Sequence, residues 1–315
     1  MASEERPGNE SEDDESQPRY VLDPNQAFTL LKVVDYRKIK SKLKFDKKTM
    51  KARAWTNGGL TCIHATMRPI PNQADVTRAK AAMGNGKNDV WMGTEFRAPD
   101  SPASIFDFRT INTINENVVS RRFMIRRRHV PHVSRLKTML LYTDGACRPH
   151  SPTDSTLRGG CSFVFDASVG AVYFAMETKG YDGQLHPHTC ERAKLRAVIA
   201  ALRFRHWSFE GWERVVVATD TDYVTKTATE QLCAWAARDW RRSKTKEKEV
   251  ANQDLWKLLS NTLKSYAEDG CEISFWKIPK GTNTVAAAAA KLAAKEGGGS
   301  DEYEEYEMPD PGPRK

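Results

Sequence analysis

The feature that most constrains the fold is a set of short apolar runs in the second half of the chain. Five runs have the length and composition of strands: 138–142, 161–165, 171–176, 215–218 and 271–278. The second and third runs are separated by a short hairpin sequence. The run at 215–218 is apolar throughout and flanked by charge, which is typical of a central parallel strand.

Helical patterns fall between these strands in a fixed order. Thr189 is placed to cap a helix that reaches about Arg205, and further helices are predicted from Tyr223, over 252–268 and after Asn283. The predicted order is β-β-β-α-β-α-α-β-α. Three antiparallel strands followed by alternating helices and strands predict an α/β fold, a mixed five-stranded sheet with helices on both faces.

The rest of the chain divides by composition. Residues 1–18 and 297–315 are acidic and poor in apolar residues, so we expect two disordered tails around a folded domain at 137–296. Residues 19–136 are a basic region of uncertain fold. Within it, the spacing predicts a helix from Pro24 to Tyr36 and a long loop at 69–100. Residues 121–129 fit an edge strand, a phosphate-binding strip or a nuclear import signal.

The charge balance points to a polyanionic partner. The whole chain has a formal net charge of +8, but residues 19–296 contain 46 basic and only 28 acidic residues. Nucleic acid is the first expectation for such a body, and a merely soluble basic surface is the plainer alternative. The six cysteines show no zinc-binding spacing, and no apolar run is long enough to cross a membrane. We expect an intracellular monomer, nuclear or cytoplasmic, whose protein partners the sequence does not indicate.

Five short segments resemble the ribonuclease H family, whose members cut the RNA strand of RNA–DNA hybrids. The segments are YTDGAC (142–147), RAKLRA (192–197), ATDTDYV (218–224), NQDLW (252–256) and FWKIP (275–279), the last followed by Asn283 and Thr284. Each segment lies at a predicted element boundary, in the family's order, and the similarity is greatest to the filamentous-fungal branch. The resemblance covers about half of the chain.

The resemblance implies a catalytic site in which four carboxylates hold two Mg²⁺ or Mn²⁺ ions. Asp144 and Asp220 match the first-strand and fourth-strand carboxylates. The first-helix glutamate is replaced by Lys194, and the last-helix aspartate by Ala287. We expect the Lys194 ammonium to pair with both aspartates and to weaken metal binding. No cofactor is expected, except Mg²⁺ or Mn²⁺ at Asp144 and Asp220 if the site is active.

A basic stretch with interleaved tryptophans lies where related enzymes grip their substrate. Its candidate binding residues are Trp235, Arg238, Trp240, Arg241, Arg242 and Lys244, with Asn252 added by position alone. The alternative is that both tryptophans are core and the charges are solvated. Three functions stay open: a catalytically impaired domain that binds hybrid or duplex nucleic acid, an active ribonuclease with a rearranged site, and a protein-interaction scaffold.

Overall fold

The structure is a computed structural model. It describes the chain at 30–32, 44–46, 51–56, 59–64, 71–84, 89–97, 106–112, 121–127, 136–151, 154–166, 170–242 and 249–306. In chain order the strands are β1 (Leu30–Lys32), β2 (Lys44–Asp46), β3 (Lys51–Thr56), β4 (Gly59–His64), β5 (Thr94–Glu95), β6 (Phe106–Asn112), β7 (Arg121–Arg127), β8 (Thr138–Ser151), β9 (Asp154–Asp166), β10 (Gly170–Ala175), β11 (Arg214–Thr219) and β12 (Glu272–Lys277).

Six α-helices are described with these strands. They are α1 (Gln73–Met83), α2 (Cys190–Arg203), α3 (Asp222–Lys226), α4 (Leu232–Ala236), α5 (Gln253–Glu268) and α6 (Thr284–Glu296). A 3₁₀ turn at Trp207–Glu210 precedes β11, and a π-helical turn at Thr227–Gln231 joins α3 to α4. None of these helices is long and apolar enough to span a bilayer.

The predicted mixed sheet is confirmed as the order β10–β9–β8–β11–β12. Strand β9 is antiparallel to both β10 and β8, and β11 runs parallel to both β8 and β12. The sheet is wider than the five strands predicted, because β1 pairs with β10, β5 with β12, and β7 with the start of β8. With β6 on β7 it has nine strands, and β2–β4 form a separate three-stranded sheet.

The first strand of the domain is longer than the sequence predicts. The apolar run at 138–142 predicts a strand that ends near Tyr142. Instead β8 continues to Ser151, because β9 pairs with it from Tyr142↔Val164 to Ser151↔Asp154. The paired segment has little apolar alternation, so its strand conformation depends on cross-strand hydrogen bonds rather than on burial.

Helices cover both faces of the sheet, as predicted. On one face α2 buries the apolar stripe Leu195, Val198, Ile199 and Leu202, with α5 beside it. On the other face the alanines of α6 pack on Leu140 and Val164. Small residues let α6 approach closely: a Cβ at Gly160 would lie 2.3 Å from the Ala290 carbonyl oxygen. Thr189 caps α2 as expected, accepting a hydrogen bond from the Arg192 amide at 3.1 Å.

The folded core extends beyond the predicted boundary at 137. In the predicted loop at 69–100 the structure has helix α1, whose Ala79 and Met83 are buried in the main core. The Ile273 amide donates to the Met83 sulfur at 3.0 Å, which fixes α1 against β12. The predicted helix before Tyr36 is wrong at Leu30–Lys32, which form β1. Residues 121–127 form strand β7.

The acidic C-terminal segment is ordered as far as Tyr306, contrary to the prediction for 297–315. Tyr303 and Tyr306 stack around the buried Arg196 guanidinium, with Arg196 Cζ 4.4 and 5.2 Å from the two ring centroids. Arg196 also pairs with buried Glu177 at 2.7 Å and donates to the Glu304 carbonyl oxygen at 2.6 Å. The two aromatic rings bury apolar surface and so order this segment, although its acidic composition predicts disorder. Residues 307–315 and 1–18 lie outside the described residues.

Candidate active site and nucleic-acid interface

Two neighbouring parallel strands bring Asp144 and Asp220 to one edge of the sheet. Tyr142 of β8 is opposite Ala218 of β11 in the register, and each aspartate follows two residues later. Helix α2 crosses β8 at this point. Gly145 permits the contact, because a Cβ there would lie 2.2 Å from the Ala193 carbonyl carbon. The close approach brings the next residue of α2, Lys194, to the aspartates.

The Lys194 ammonium lies between the two aspartates. Its Nζ is 2.6 Å from Asp144 Oδ1 and 2.6 Å from Asp220 Oδ1. The side chains of Lys194 and Asp220 are each 19% exposed and that of Asp144 is 9% exposed, so solvent screens the pairs only partly. The Gly145 amide also donates to Asp144 Oδ1 at 2.8 Å. The arrangement matches the salt-bridged pocket expected from the sequence.

Burial and pairing act in opposite directions on these groups. Burial alone would lower the pKa of Lys194, but attraction and hydrogen bonds from Asp144 and Asp220 outweigh it and raise that pKa. Burial raises the pKa of Asp144, and the nearby Lys194 ammonium offsets only part of the rise. Lys194 is therefore charged throughout the neutral range and keeps its two hydrogen bonds there.

Ala287 lies at the same edge of the sheet. In the first turn of α6, the Asn283 amide donates to the Thr143 carbonyl oxygen at 2.8 Å. One turn on, the Ala286 carbonyl oxygen accepts from Ser162 Oγ at 2.5 Å, and Ser162 is opposite Asp144 in the β8–β9 register. The helix thus presents a methyl group, not a carboxylate, at the fourth family position.

These residues do not fit a pair of Mg²⁺ or Mn²⁺ ions. Only two of the four expected carboxylates are present, and each has an oxygen bonded to an ammonium. Asp222 does not supply a replacement for the missing carboxylates, because its side chain is 57% exposed and lies 3.5 Å from Lys277 Nζ. Glu191 is exposed on α2. Over the described residues, Asp144 and Asp220 belong to no group of three metal-ligating side chains.

Sequence reasoning missed a second cation at this edge. Lys277 Nζ donates to the Asp220 backbone carbonyl oxygen at 2.5 Å. The position of Lys277 could have been predicted, because it is the last residue of β12, the strand next to β11. In the parallel register it lies opposite Thr219, the residue before Asp220. The edge therefore carries two lysines: Lys194 bonds to the carboxylates of Asp144 and Asp220, and Lys277 bonds to the Asp220 backbone and lies 3.5 Å from the Asp222 carboxylate.

The predicted binding stretch divides into packed tryptophans and exposed arginines. Trp235 meets Trp256 edge to face at 6.0 Å, and Trp240 packs against the same core with Lys257 Nζ 5.4 Å from its ring. Both are half-buried, so the structure favours the core alternative for their rings. Arg238 is half-buried. Arg241 and Arg242 are exposed to solvent. Lys244 lies outside the described residues.

Asn252 belongs to an internal hydrogen-bond network, and its role in binding stays a prediction. Its amide nitrogen donates to the Tyr223 hydroxyl at 2.9 Å, and its oxygen accepts from Arg192 at 3.3 Å. Arg192 also forms a two-bond pair with buried Asp254, at 2.9 and 2.7 Å. Asn252 holds a left-handed conformation with φ 58° immediately before α5. Its half-exposed side chain therefore joins α2, α3 and α5.

Sequence comparison with known proteins agrees with the fold described above. A family model described as RNase H matches residues 136–295, about half of the chain. A ribonuclease H of Cyanothece sp. is 34% identical over 119 residues, which are 38% of this chain and 66% of that protein. A ribonuclease H of Hahella chejuensis is 31% identical over 166 residues, 51% of this chain and 96% of that protein.

Among solved structures, a foamy viral protease-reverse transcriptase in complex with dsDNA overlaps 50% of this chain and 94% of its own, at 19% identity and a TM-score of 0.38. The family match and the Hahella relative define the class of the domain. The chain belongs to the ribonuclease H family, with its family domain at 136–295.

Proposed function

We propose that this ribonuclease H-type domain binds RNA–DNA hybrid or duplex nucleic acid and does not cleave it by the two-metal reaction. The observation that carries the proposal is the position of Lys194, whose Nζ lies 2.6 Å from both remaining carboxylates. A divalent cation would have to displace or approach a fixed positive charge in a poorly solvated pocket. That repulsion costs on the order of several kcal/mol, beyond the loss of two ligands.

Binding without cleavage is supported by the charge that remains. Residues 19–296 contain 46 basic and 28 acidic residues. Arg241 and Arg242 are exposed beside the packed tryptophans. Arginines on such a surface neutralise phosphates, and the counterions released make binding salt-dependent. The protein-interaction scaffold, which the family match leaves open, does not require this excess of charge.

The test compares the natural chain with a variant that restores the family carboxylates, Lys194→Glu with Ala287→Asp. Lys194→Gln with Ala287→Asn is the matched control, because it removes the ammonium without adding charge. Mg²⁺ and Mn²⁺ binding is measured by calorimetry, and cleavage of a labelled RNA–DNA hybrid is followed on the same samples. We expect metal binding and cleavage only in the restored variant.

The natural chain should still bind the hybrid, equally well in Mg²⁺ and in EDTA. Its affinity should fall by about tenfold or more between roughly 50 and 200 mM salt. Cleavage by the natural chain that Asp144→Asn abolishes would contradict the impairment. Failure to bind hybrid or duplex at low salt would contradict nucleic-acid binding and favour the scaffold.

A further inference from the structure

A second cluster of polar side chains lies apart from the Lys194 pocket. It joins Asp182 and His186, in the loop between β10 and α2, to Asp254 in the first turn of α5. His186 Nε2 is 3.1 Å from each carboxylate oxygen of Asp182 and 3.7 Å from Asp254 Oδ2. One ligand atom from each residue lies within 4.8 Å of the other two.

The spacing of these atoms suits a tetrahedral metal ion. Zinc bonds of about 2.0–2.1 Å to nitrogen and oxygen place neighbouring ligand atoms about 3.3 Å apart. The observed 3.1 and 3.7 Å lie on either side of that separation. One imidazole with two carboxylates is a donor set for zinc, whereas calcium and magnesium prefer oxygen ligands alone.

The backbone of the loop packs closely against the ligand residues. A Cβ at Gly180 would lie 2.4 Å from Asp254 Oδ2 and 2.7 Å from His186 Cδ2, so only glycine lets the loop approach them this closely. The loop also holds its ligand in place. The Gln184 amide donates to Asp182 Oδ1 at 3.0 Å, and Gly180 and Gln184 close the turn with a 2.8 Å backbone bond.

The neighbouring Arg192 is compatible with a bound ion. Arg192 donates to both oxygens of Asp254, at 2.9 and 2.7 Å, and the pair is buried. Each carboxylate oxygen has two acceptor sites, so Asp254 Oδ2 can bind a metal while it accepts from Arg192. Two carboxylates and one guanidinium leave one net negative charge to attract a dication. Arg192 would fix the orientation of Asp254, as groups behind metal ligands commonly do.

We propose that Asp182, His186 and Asp254 form a site for one zinc ion, which ties the loop before α2 to the start of α5. His188, two residues from His186, is not a ligand. Its Nδ1 accepts from the Gly159 amide at 2.8 Å, and its Nε2 contacts the Glu177 carbonyl oxygen at 3.1 Å. The site is independent of Lys194 and of nucleic-acid binding.

The experiment titrates ZnCl₂ into the full chain after dialysis against EDTA. The parent carries Cys190→Ser, because the exposed Cys190 thiol would itself attract zinc. His186→Ala and Asp182→Asn remove ligands but leave the Arg192–Asp254 pair intact. His150→Ala is the matched control, since His150 is an exposed histidine that contacts Arg158 elsewhere.

We expect one zinc ion per chain in the parent and in the His150→Ala control, with binding at least tenfold weaker in both ligand variants. Saturating zinc should raise Tm by about 5 °C in the parent and not in the ligand variants. Co²⁺ should give the visible absorption of a tetrahedral site in the parent and in the His150→Ala control, and not in the ligand variants. Equal zinc binding by the parent and His186→Ala, or no one-to-one binding at millimolar zinc, would overturn the proposal.

Discussion

Replacing a carboxylate by an ammonium at position 194 changes the sign of the interaction with both aspartates. With a glutamate there, Asp144, Asp220 and residue 194 would repel one another unless a cation were bound. With Lys194, whose Nζ is 2.6 Å from each, the two charges are paired within the chain. The pocket thus contains a cation of its own, and its net charge is minus one, compared with minus three if residue 194 were a glutamate.

Lys194→Met should destabilise the fold in a pH-dependent way. Removing one member of a largely buried network leaves Asp144 and Asp220 facing each other, at a cost of about 3 kcal/mol near neutral pH. The pKa of Asp144 is already raised by burial, and without the ammonium it should rise further. A folded-state pKa above the unfolded value makes the folded chain take up protons as the pH falls, so the loss should shrink on acidification.

Urea unfolding of the natural chain and Lys194→Met at about pH 7.5 and pH 4.5 measures this effect. Lys291→Met, which alters an exposed lysine of α6, is the control and should change stability little at either pH. In the natural chain the pKa of Lys194 is raised on folding. Its stabilising contribution to folding is therefore fully present below the ordinary lysine pKa, and it is lost only as the pH rises through the pKa of the folded state. The same loss for Lys194→Met at both pH values would contradict the argument.

The sequence predicted this pocket better than its surroundings. Asp144, Lys194 and Asp220 could be placed because the segments that contain them resemble ribonuclease H motifs in the family's order. Asn252 was assigned to substrate by position, yet its partners Tyr223 and Arg192 are 29 and 60 residues away along the chain. No local pattern reports which distant group satisfies a polar side chain.

At the scale of elements, the contact between β8 and α2 determines the geometry of the pocket. It depends on Gly145, where a Cβ would lie 2.2 Å from the backbone carbonyl carbon of Ala193. Backbone atoms in the middle of a helix cannot move aside without breaking its hydrogen bonds. Strand and helix therefore approach only as closely as residue 145 allows.

Gly145→Ala should separate β8 from α2 and cost about 3 kcal/mol or more, as overpacking of a rigid contact does. Gly159→Ala, on the paired strand β9, is the matched control. Its Cβ would meet the flexible end of Met176, with Cε at 2.6 Å, and should cost less. Urea midpoints measure both variants. Equal losses at the two positions would show that the strand–helix contact is not the limiting one.

Element types followed from sequence more reliably than element lengths. The β-β-β-α-β-α-α-β-α order is confirmed when α3, the π-helical turn and α4 are counted as the one helix predicted from Tyr223. Apolar runs and caps such as Thr189 are local signals, which is why the order could be predicted. The extension of β8 to Ser151 was missed, because the segment after Tyr142 is held by pairing with β9 rather than by an apolar pattern. Pairing of this kind is specified by the partner strand.

For the whole molecule, the folded unit is larger than the domain that composition suggests. It includes α1, through buried Met83 and Ala79, and the C-terminal segment, through Tyr306, whose ring centroid is 4.1 Å from that of Phe174. Both were missed because their polar surroundings are typical of loops and tails. Only a few apolar side chains in each reach the core.

A fragment covering 71–306 should be markedly more stable than one covering 137–296. The shorter fragment exposes the core beneath α1 and removes Tyr303 and Tyr306 from Arg196, so we expect a Tm lower by about 10 °C or more, or aggregation. Thermal unfolding followed by circular dichroism compares the two. Similar melting temperatures would mean that the added segments contribute little to stability.

The ammonium between Asp144 and Asp220 is covalently tethered, and this has a consequence for regulation. A soluble metal ion exchanges with the surrounding medium, so its occupancy follows supply and competition from chelators. The Lys194 cation has no dissociation step of that kind, and it stays in place whatever the ion content of the compartment. On the proposed function, nucleic-acid binding by a domain with this pocket does not depend on the availability of magnesium.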